Sequence, residues 1–264
     1  MWGAFRRGDA PEDPWQTWTE TMPRTPAAAL AGLPAAAALL AALTACSADG
    51  GPEPSGGEGA AAEDGAGKAR IATVIGEEIA VLDGPDGKPV ETLANPNDLG
   101  AERVFLVERS EGDWLEVLLP VRPNGSTGWV RRDEVELTST GFRLEVDMDA
   151  FSFSVLDGEE EVRSGEIAIG VEDTPTPPGR YYFTELLEPP EPDGEYGAYA
   201  FGLSGFSPTL ETFAGGPGQL AVHGTPDESV LGTEVSHGCV RVADDDITWM
   251  AERLPLGTPV EISA

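Results

Sequence analysis

The clearest pattern along the chain is strict alternation. In FRLEVDM the apolar residues Phe142, Leu144 and Val146 recur at every second position, and in FSFSVL so do Phe151, Phe153 and Val155. A period of two places those side chains on one face of a strand, so each run predicts a half-buried strand, with LDGEEEV as the hairpin turn that follows. SGEIAIG is expected to continue the sheet. TPTPPGRYYFTEL predicts a proline-stiffened lead into an aromatic strand, GQLAVHG a buried strand ending at His223, and TPVEI a closing strand. Between the second and third of these, Leu187 to Ser207 carries Pro189, Pro190 and Pro192 among several Gly and Tyr residues and predicts a long loop, a feature common at functional sites. One stretch has helical spacing instead. In ADDDITWMAERLP, Ile247, Met250 and Leu254 share a face, Asp244 is placed to cap, Asp245 and Asp246 suit the positive end, and Pro255 marks the stop.

Upstream, RIATVIG, EEIAVLD, RVFLVER and WLEVLLPV are short apolar or alternating runs separated by the turn signals DGPDGKP, ANPNDLG, SEGDW and RPNGSTG. They predict a small barrel over residues 68–137, and a second β unit follows over 138–264. The stretch GDWLEVLLPVRPNGSTGWVRRDEVEL resembles bacterial SH3-like modules found beside wall-active enzymes. Its Trp114 and Trp129 read first as barrel core, with stacking on a ligand as the alternative.

Ser47 to Gly67 contains no large apolar residue, cannot bury a core and is expected to be a tether. Treated as a flexible coil, it would reach on the order of 25 Å. Before it comes an apolar stretch from Ala27 to Leu43, and Leu43-Thr44-Ala45-Cys46 resembles the lipobox of a bacterial lipoprotein signal. That resemblance implies cleavage before Cys46, a lipid on its thiol, and a protein exported and anchored to the outer face of the cytoplasmic membrane, facing the cell wall. Residues 1–45 are then the signal segment and 46–67 the lipid-anchored tether. An uncleaved transmembrane helix is the alternative. Four acids lie before residue 22, where a signal should be basic, so MPRTPAAAL makes the better start and Met22 the expected initiator.

Composition sharpens the fold class. With 33 glycines and 23 prolines in 264 residues, turns are frequent and strands short, which favours an all-β protein with one short helix. The net charge of −31 comes almost wholly from residues beyond the signal segment. Such a surface repels phosphate backbones and anionic headgroups, which argues against nucleic acid as a partner and against electrostatic docking on membranes.

The candidate chemistry is concentrated in one segment. SHGCVRV holds Cys239, the sole cysteine beyond Cys46, and His237; His223, the other of two histidines, lies sixteen residues upstream of Cys239. A neighbouring imidazole or a helix N-terminus favours the thiolate, and both are available here. Gly238 lets the backbone turn sharply beside the cysteine, so the amides of Gly238 and Cys239 could converge on the oxygen of an attacked carbonyl. A single thiol kept in an oxidising compartment also points to a chemical role. By residue type alone, a structural cysteine or part of a zinc site stays open.

HGTPDESVLGTEVSHGCVRV resembles the catalytic motif of the L,D-transpeptidases, the YkuD-type fold, in which an HG pair is followed some sixteen residues later by a Ser/Thr-His-Gly-Cys block. The resemblance extends over Gly141 to Ser263. It implies a β-sandwich catalytic domain behind the SH3-like barrel, with Cys239 as nucleophile, His223 as general base, the Gly224 carbonyl orienting that imidazole, and His237 shaping the site. Gly238 and the block's other amides would form the oxyanion hole, while Arg241 and Ser236 would serve substrate binding. Ala243 and Asp244 depart from the small polar residue and Asn usual before the helix.

The implied activity is acyl transfer on peptidoglycan stem peptides, a donor tetrapeptide and an acceptor amine, through a cysteine thioester to a 3→3 cross-link. No cofactor and no metal are expected. The alternatives are an L,D-carboxypeptidase on the same stems, or a non-catalytic wall-binding lipoprotein.

Overall fold

β-Branched and aromatic residues at alternate positions pair best on a pleated, half-buried surface, and almost every such run here becomes a strand. The computed structural model describes residues 67–191 and 194–264. The apolar stretch, the lipobox with Cys46, Met22 and nearly all of the tether lie outside the described residues.

The first sheet contains β1 (Ala69–Val74), β2 (Glu78–Leu82), β3 (Pro89–Ala94), β4 (Val104–Glu111), β5 (Trp114–Leu118), β6 (Thr127–Arg131) and β7 (Val135–Thr140), in the order β3-β2-β6-β5-β4-β1-β7. This barrel-like sheet encloses Ile79, Val81, Phe105, Leu115, Val117 and Val130. Trp114 and Trp129 are both buried, under the guanidinium groups of Arg131 and Arg109 respectively. Their role is therefore core and not ligand stacking. The strand β7 runs on to Thr140, so the first sheet extends past the expected boundary at Leu137 and the junction falls at Gly141.

The second domain comprises β8 (Phe142–Asp147), β9 (Ser152–Asp157), β10 (Glu160–Glu166), β11 (Ile169–Gly170), β12 (Gly179–Leu187), β13 (Ala200–Phe206), β14 (Gln219–Thr225), β15 (Glu234–Ser236), β16 (Val240–Ala243), α1 (Asp244–Ala251) and β17 (Pro259–Ser263). Eight strands pair in the order β10-β9-β8-β17-β12-β13-β14-β16, and β11 pairs with β15 in a separate parallel ribbon. The apolar faces of these strands feed one core built on Leu144, Val146, Phe153, Phe183, Phe201, Val222 and Ile247. Each such fully buried side chain contributes roughly 1.5–3 kcal/mol.

Four expectations are corrected. Leu187 to Ser207 is not all loop, because its last third is β13 (Ala200–Phe206), whose small residues admit close neighbours. A Cβ on Gly202 would lie 1.7 Å from Glu185 Oε1, and one on Gly205 would lie 2.2 Å from the Tyr181 ring. SGEIAIG does not stay in the main sheet, since the chain leaves after β10 to make β11. Phe151 falls in the turn before β9 with φ of 49°, outside the alternation. Asp244 does not cap α1. It is the first helical residue, behind Ala243 as N-cap, and its Oδ1 accepts the amide of Ala198 at 3.2 Å. Asp245 and Asp246 do lie in the first turn of α1, and Asp246 also pairs with Arg163, at 2.6 Å to Nε.

The two domains are packed together through Ile71, Val104, Leu106, Leu118 and Tyr182, all buried. Gly257 closes against Ile71, where a Cβ would meet its Cγ2 at 2.5 Å.

Candidate active site

The strands β14 and β16 are parallel neighbours in register Val222↔Val240 and His223↔Arg241. Residues two apart share a face, so Cys239 stands beside Ala221 on the same face as His223 and Arg241. This adjacency joins two segments that the sequence separates by a loop. Cys239 is half-buried, is a free thiol and lines a cleft of about 400 Å³. Tyr196, Leu187, Ala200, Phe213, Gln219 and Ala221 also line it.

The His223 ring is buried, and its Nδ1 lies 2.7 Å from the Gly224 carbonyl oxygen. A carbonyl can only accept, so Nδ1 carries the proton and Nε2 is left with its lone pair. Burial lowers the pKa of this imidazole to about 4, against a smaller raising effect of the Gly224 bond. Tyr196 covers it, with ring centroids 4.9 Å apart.

Burial likewise pushes the Cys239 thiol up to about 11, outweighing a backbone hydrogen bond from Ala221 and the nearby Arg241 guanidinium. The site therefore rests as a neutral pair at pH 7, thiol and imidazole, and not as the thiolate that a neighbouring histidine was expected to favour. The physical reason is the low-dielectric setting, which disfavours both charges.

The turn before Cys239 is tied by its own hydroxyl. Ser236 Oγ donates to the Cys239 carbonyl at 2.6 Å and accepts the Gly238 amide at 3.1 Å. Gly238 has φ of +116°, a conformation that a side chain would strain, and its carbonyl accepts Thr176 Oγ1 at 2.9 Å. Two assignments change as a result. Ser236 is buried and shapes the turn, so it does not offer its hydroxyl to a substrate. The Gly238 amide is engaged, so it is not a free oxyanion donor; the His237 and Cys239 amides take no part in the bonds that tie this turn.

Arg241 is engaged as well. Its Nη2 lies 2.6 Å from Glu195 Oε1 and so ties the loop after β12 to β16, while its buried Nε has no hydrogen-bond partner among the described residues. His237 is exposed, with its ring 5.1 Å from that of Phe213. Tyr196, Glu195 and Thr176 belong to the site and were missed in the sequence. Their one signal was the proline- and tyrosine-rich loop and the TPTPP segment. Among the described residues, no three His, Cys, Asp or Glu side chains are grouped as a metal ion would need.

A partly exposed thiol, a buried neutral base with one nitrogen free, and a turn with unengaged amides can together attack a carbonyl and stabilise the resulting oxyanion. Residues 141–262 match the YkuD family, the L,D-transpeptidase catalytic domain. The putative L,D-transpeptidase YkuD of Bacillus licheniformis is 30% identical over 122 residues, 46% of this chain and 66% of that protein. The probable L,D-transpeptidase ErfK/SrfK of Escherichia coli is 33% identical over 96 residues, 34% of this chain and 26% of its own. Among solved structures, an L,D-transpeptidase from Mycobacterium smegmatis is 18% identical with a TM-score of 0.39, covering 61% of this chain and 90% of that one. The chain thus spans less than two thirds of these curated relatives' length, at 66% and 26%. Over residues 141–262 the second domain is similar in sequence to L,D-transpeptidase catalytic domains.

Proposed function

We propose that the protein is a peptidoglycan L,D-transpeptidase working through a Cys239 thioester. The observation that carries the reading is that Cys239 lines the cleft on the sheet face it shares with a neutral, Nδ1-protonated His223.

His223 Nε2 takes the thiol proton as the sulfur attacks the carbonyl at the L-centre of diaminopimelate in a tetrapeptide stem. The His237 and Cys239 amides are the donors left in the turn for the oxyanion. Collapse breaks the amide bond, the imidazolium gives its proton to the departing nitrogen, and D-Ala leaves. The side-chain amine of a second stem then attacks the thioester and loses a proton to His223. The C–S bond breaks, the proton returns to sulfur, and a 3→3 cross-link is formed. Because both groups rest neutral, the proton moves during attack, and no standing thiolate is required.

The first domain is proposed to be an SH3-like module, and Cys46 a lipid-bearing anchor that holds the protein outside the cytoplasmic membrane beside its substrate. The transpeptidase reading of the second domain is supported by the match of residues 141–262.

Incubation of the protein with a tetrapeptide stem and no acceptor, followed by intact mass measurement, tests it. A covalent adduct of the tripeptide acyl group, D-Ala release and loss of both in Cys239→Ala are expected. Absence of any adduct on the unsubstituted protein, or its persistence in the variant, defeats the mechanism.

A further inference from the structure

One segment of the first domain lines the cleft, and a second braces its wall. The loop after β3 supplies Asp98 and Leu99 to its lining, and Asn97 of that loop donates from Nδ2 to Glu185 Oε2 at 2.8 Å. Glu185 is itself a buried cleft residue, and its Oε1 accepts from Gln219 Nε2 at 2.8 Å. The first domain therefore bonds directly to the floor of the site.

From the hairpin between β5 and β6 comes Arg122. Its Nη1 donates to the Ser207 carbonyl at 2.9 Å, and its Nη2 donates to the carbonyls of Leu210 at 2.9 Å and Pro217 at 2.8 Å. Its guanidinium lies 4.8 Å over the Phe206 ring. Asn124 holds the Phe206 backbone from both sides, donating to its oxygen at 2.8 Å and accepting from its nitrogen at 2.9 Å. Gly218 leaves room for this arrangement, since a Cβ there would approach Leu210 O at 2.3 Å and Arg122 Nη2 at 3.2 Å.

One guanidinium thus gathers carbonyls from both ends of segment 207–217. That segment contains no strand of the main sheet, and it carries Phe213, Gly215, Gly216 and Pro217 into the cleft wall, with Phe213 against His237. The planar fork of Arg suits such a span, whereas the point charge of Lys does not.

We propose that Arg122 is a positioning residue for the substrate cleft, and that the first domain lines that cleft through Asp98 and Leu99, braces its 207–217 wall through Arg122, and is not merely an accessory binding module. The inference rests on the reading of the cleft as the stem-peptide site. It gives the first domain a part in substrate selection by the second.

The test uses the full chain with Arg122→Ala and Arg122→Lys. With a tetrapeptide stem, the concentration giving half-maximal acylation of Cys239 should rise about tenfold in Arg122→Ala, while the maximal rate stays within about threefold. Alkylation by iodoacetamide, which needs the thiol and not the wall, should stay within about twofold. Arg122→Lys should restore only part of the loss. Hydrogen exchange should quicken at least about tenfold over 207–218 and stay unchanged over 219–225. An unaltered half-maximal concentration, or unaltered exchange over 207–218, overturns the proposal. If the unsubstituted protein is not acylated by the stem, the transpeptidase reading fails, and the exchange measurement still decides whether Arg122 holds the wall.

Discussion

His223 Nδ1 and the carbonyl oxygen of Gly224 are 2.7 Å apart, a contact between adjacent residues that settles which ring nitrogen is the base. Because the imidazole is held near pKa 4 and the Cys239 thiol near 11, thiolate should be absent at neutral pH. Absorbance at about 240 nm, taken as the difference between the unsubstituted protein and Cys239→Ala, should stay flat from pH 5 to 9 and rise only as the pH nears about 11. A thiolate signal already present at pH 7 would mean a preformed ion pair, and the concerted proton transfer described above would be wrong.

The same buried ring makes stability depend on pH. Its folded pKa of about 4 lies below the ordinary 6.5, so between those values the unfolded chain takes up a proton that the folded one refuses. Stability must fall as pH drops through that window, and the loss levels off below about pH 4 at roughly 3 kcal/mol. Glu185, pushed up by burial, acts in the opposite direction, since its contribution is lost as pH rises. The comparison therefore has to be differential: urea midpoints of the unsubstituted protein and His223→Gln at pH 7, 5 and 4. The substituted protein should lose less on acidification, and parallel decline of the two would contradict the assignment.

Ser236 offers a sharper probe of the turn. Its hydroxyl links the Gly238 amide to the Cys239 carbonyl, so Ser236→Ala leaves both buried groups short of a partner. The expected cost is about 1–3 kcal/mol in stability and at least about tenfold in acylation rate, because the sulfur and its neighbouring amides lose their fixed geometry. Ser236→Thr keeps the hydroxyl and should retain most of both. If the alanine variant acylates normally, the turn does not depend on this link.

Much of this was legible in the residues. Alternation announced β8 and most of β9, the Ile247 and Met250 spacing announced α1, whose end at Ala251 leaves Leu254 beyond it, and the rarity of Cys and His drew attention to one segment. What stayed hidden depends on contacts between distant positions. No spacing in SHGCVRV announces that Arg241 pairs at 2.6 Å with Glu195, 46 residues upstream. Asp244 reads as a cap until its carboxylate is seen to serve the Ala198 amide. Thiol and imidazole types suggested an ion pair, whereas burial, which no short motif encodes, reverses both pKa directions. AFGLSGF reads as loop because glycine and serine have low strand propensity, yet those residues are what allow β13 to lie against bulky neighbours.

That last point carries its own prediction. Tyr181 is buried, and its ring lies where a Cβ on Gly205 would come within 2.2 Å of Cε1 and 2.4 Å of Cδ1. The ring is enclosed by the core of the second domain and its hydroxyl donates to the Pro177 carbonyl at 3.1 Å, so it cannot swing aside cheaply. Gly205→Ala should therefore cost about 3 kcal/mol or more, at the upper end of overpacking penalties. At Gly125, where the tip of a surface hairpin leaves a Cβ without neighbours, the same change meets only the strain of a positive φ and should cost about 1 kcal/mol. Denaturant unfolding of the two variants side by side measures the difference. If Gly205→Ala were as mild as Gly125→Ala, close packing would not be the reason that glycine occupies β13, and the account of why that strand was hidden from the sequence would fail with it.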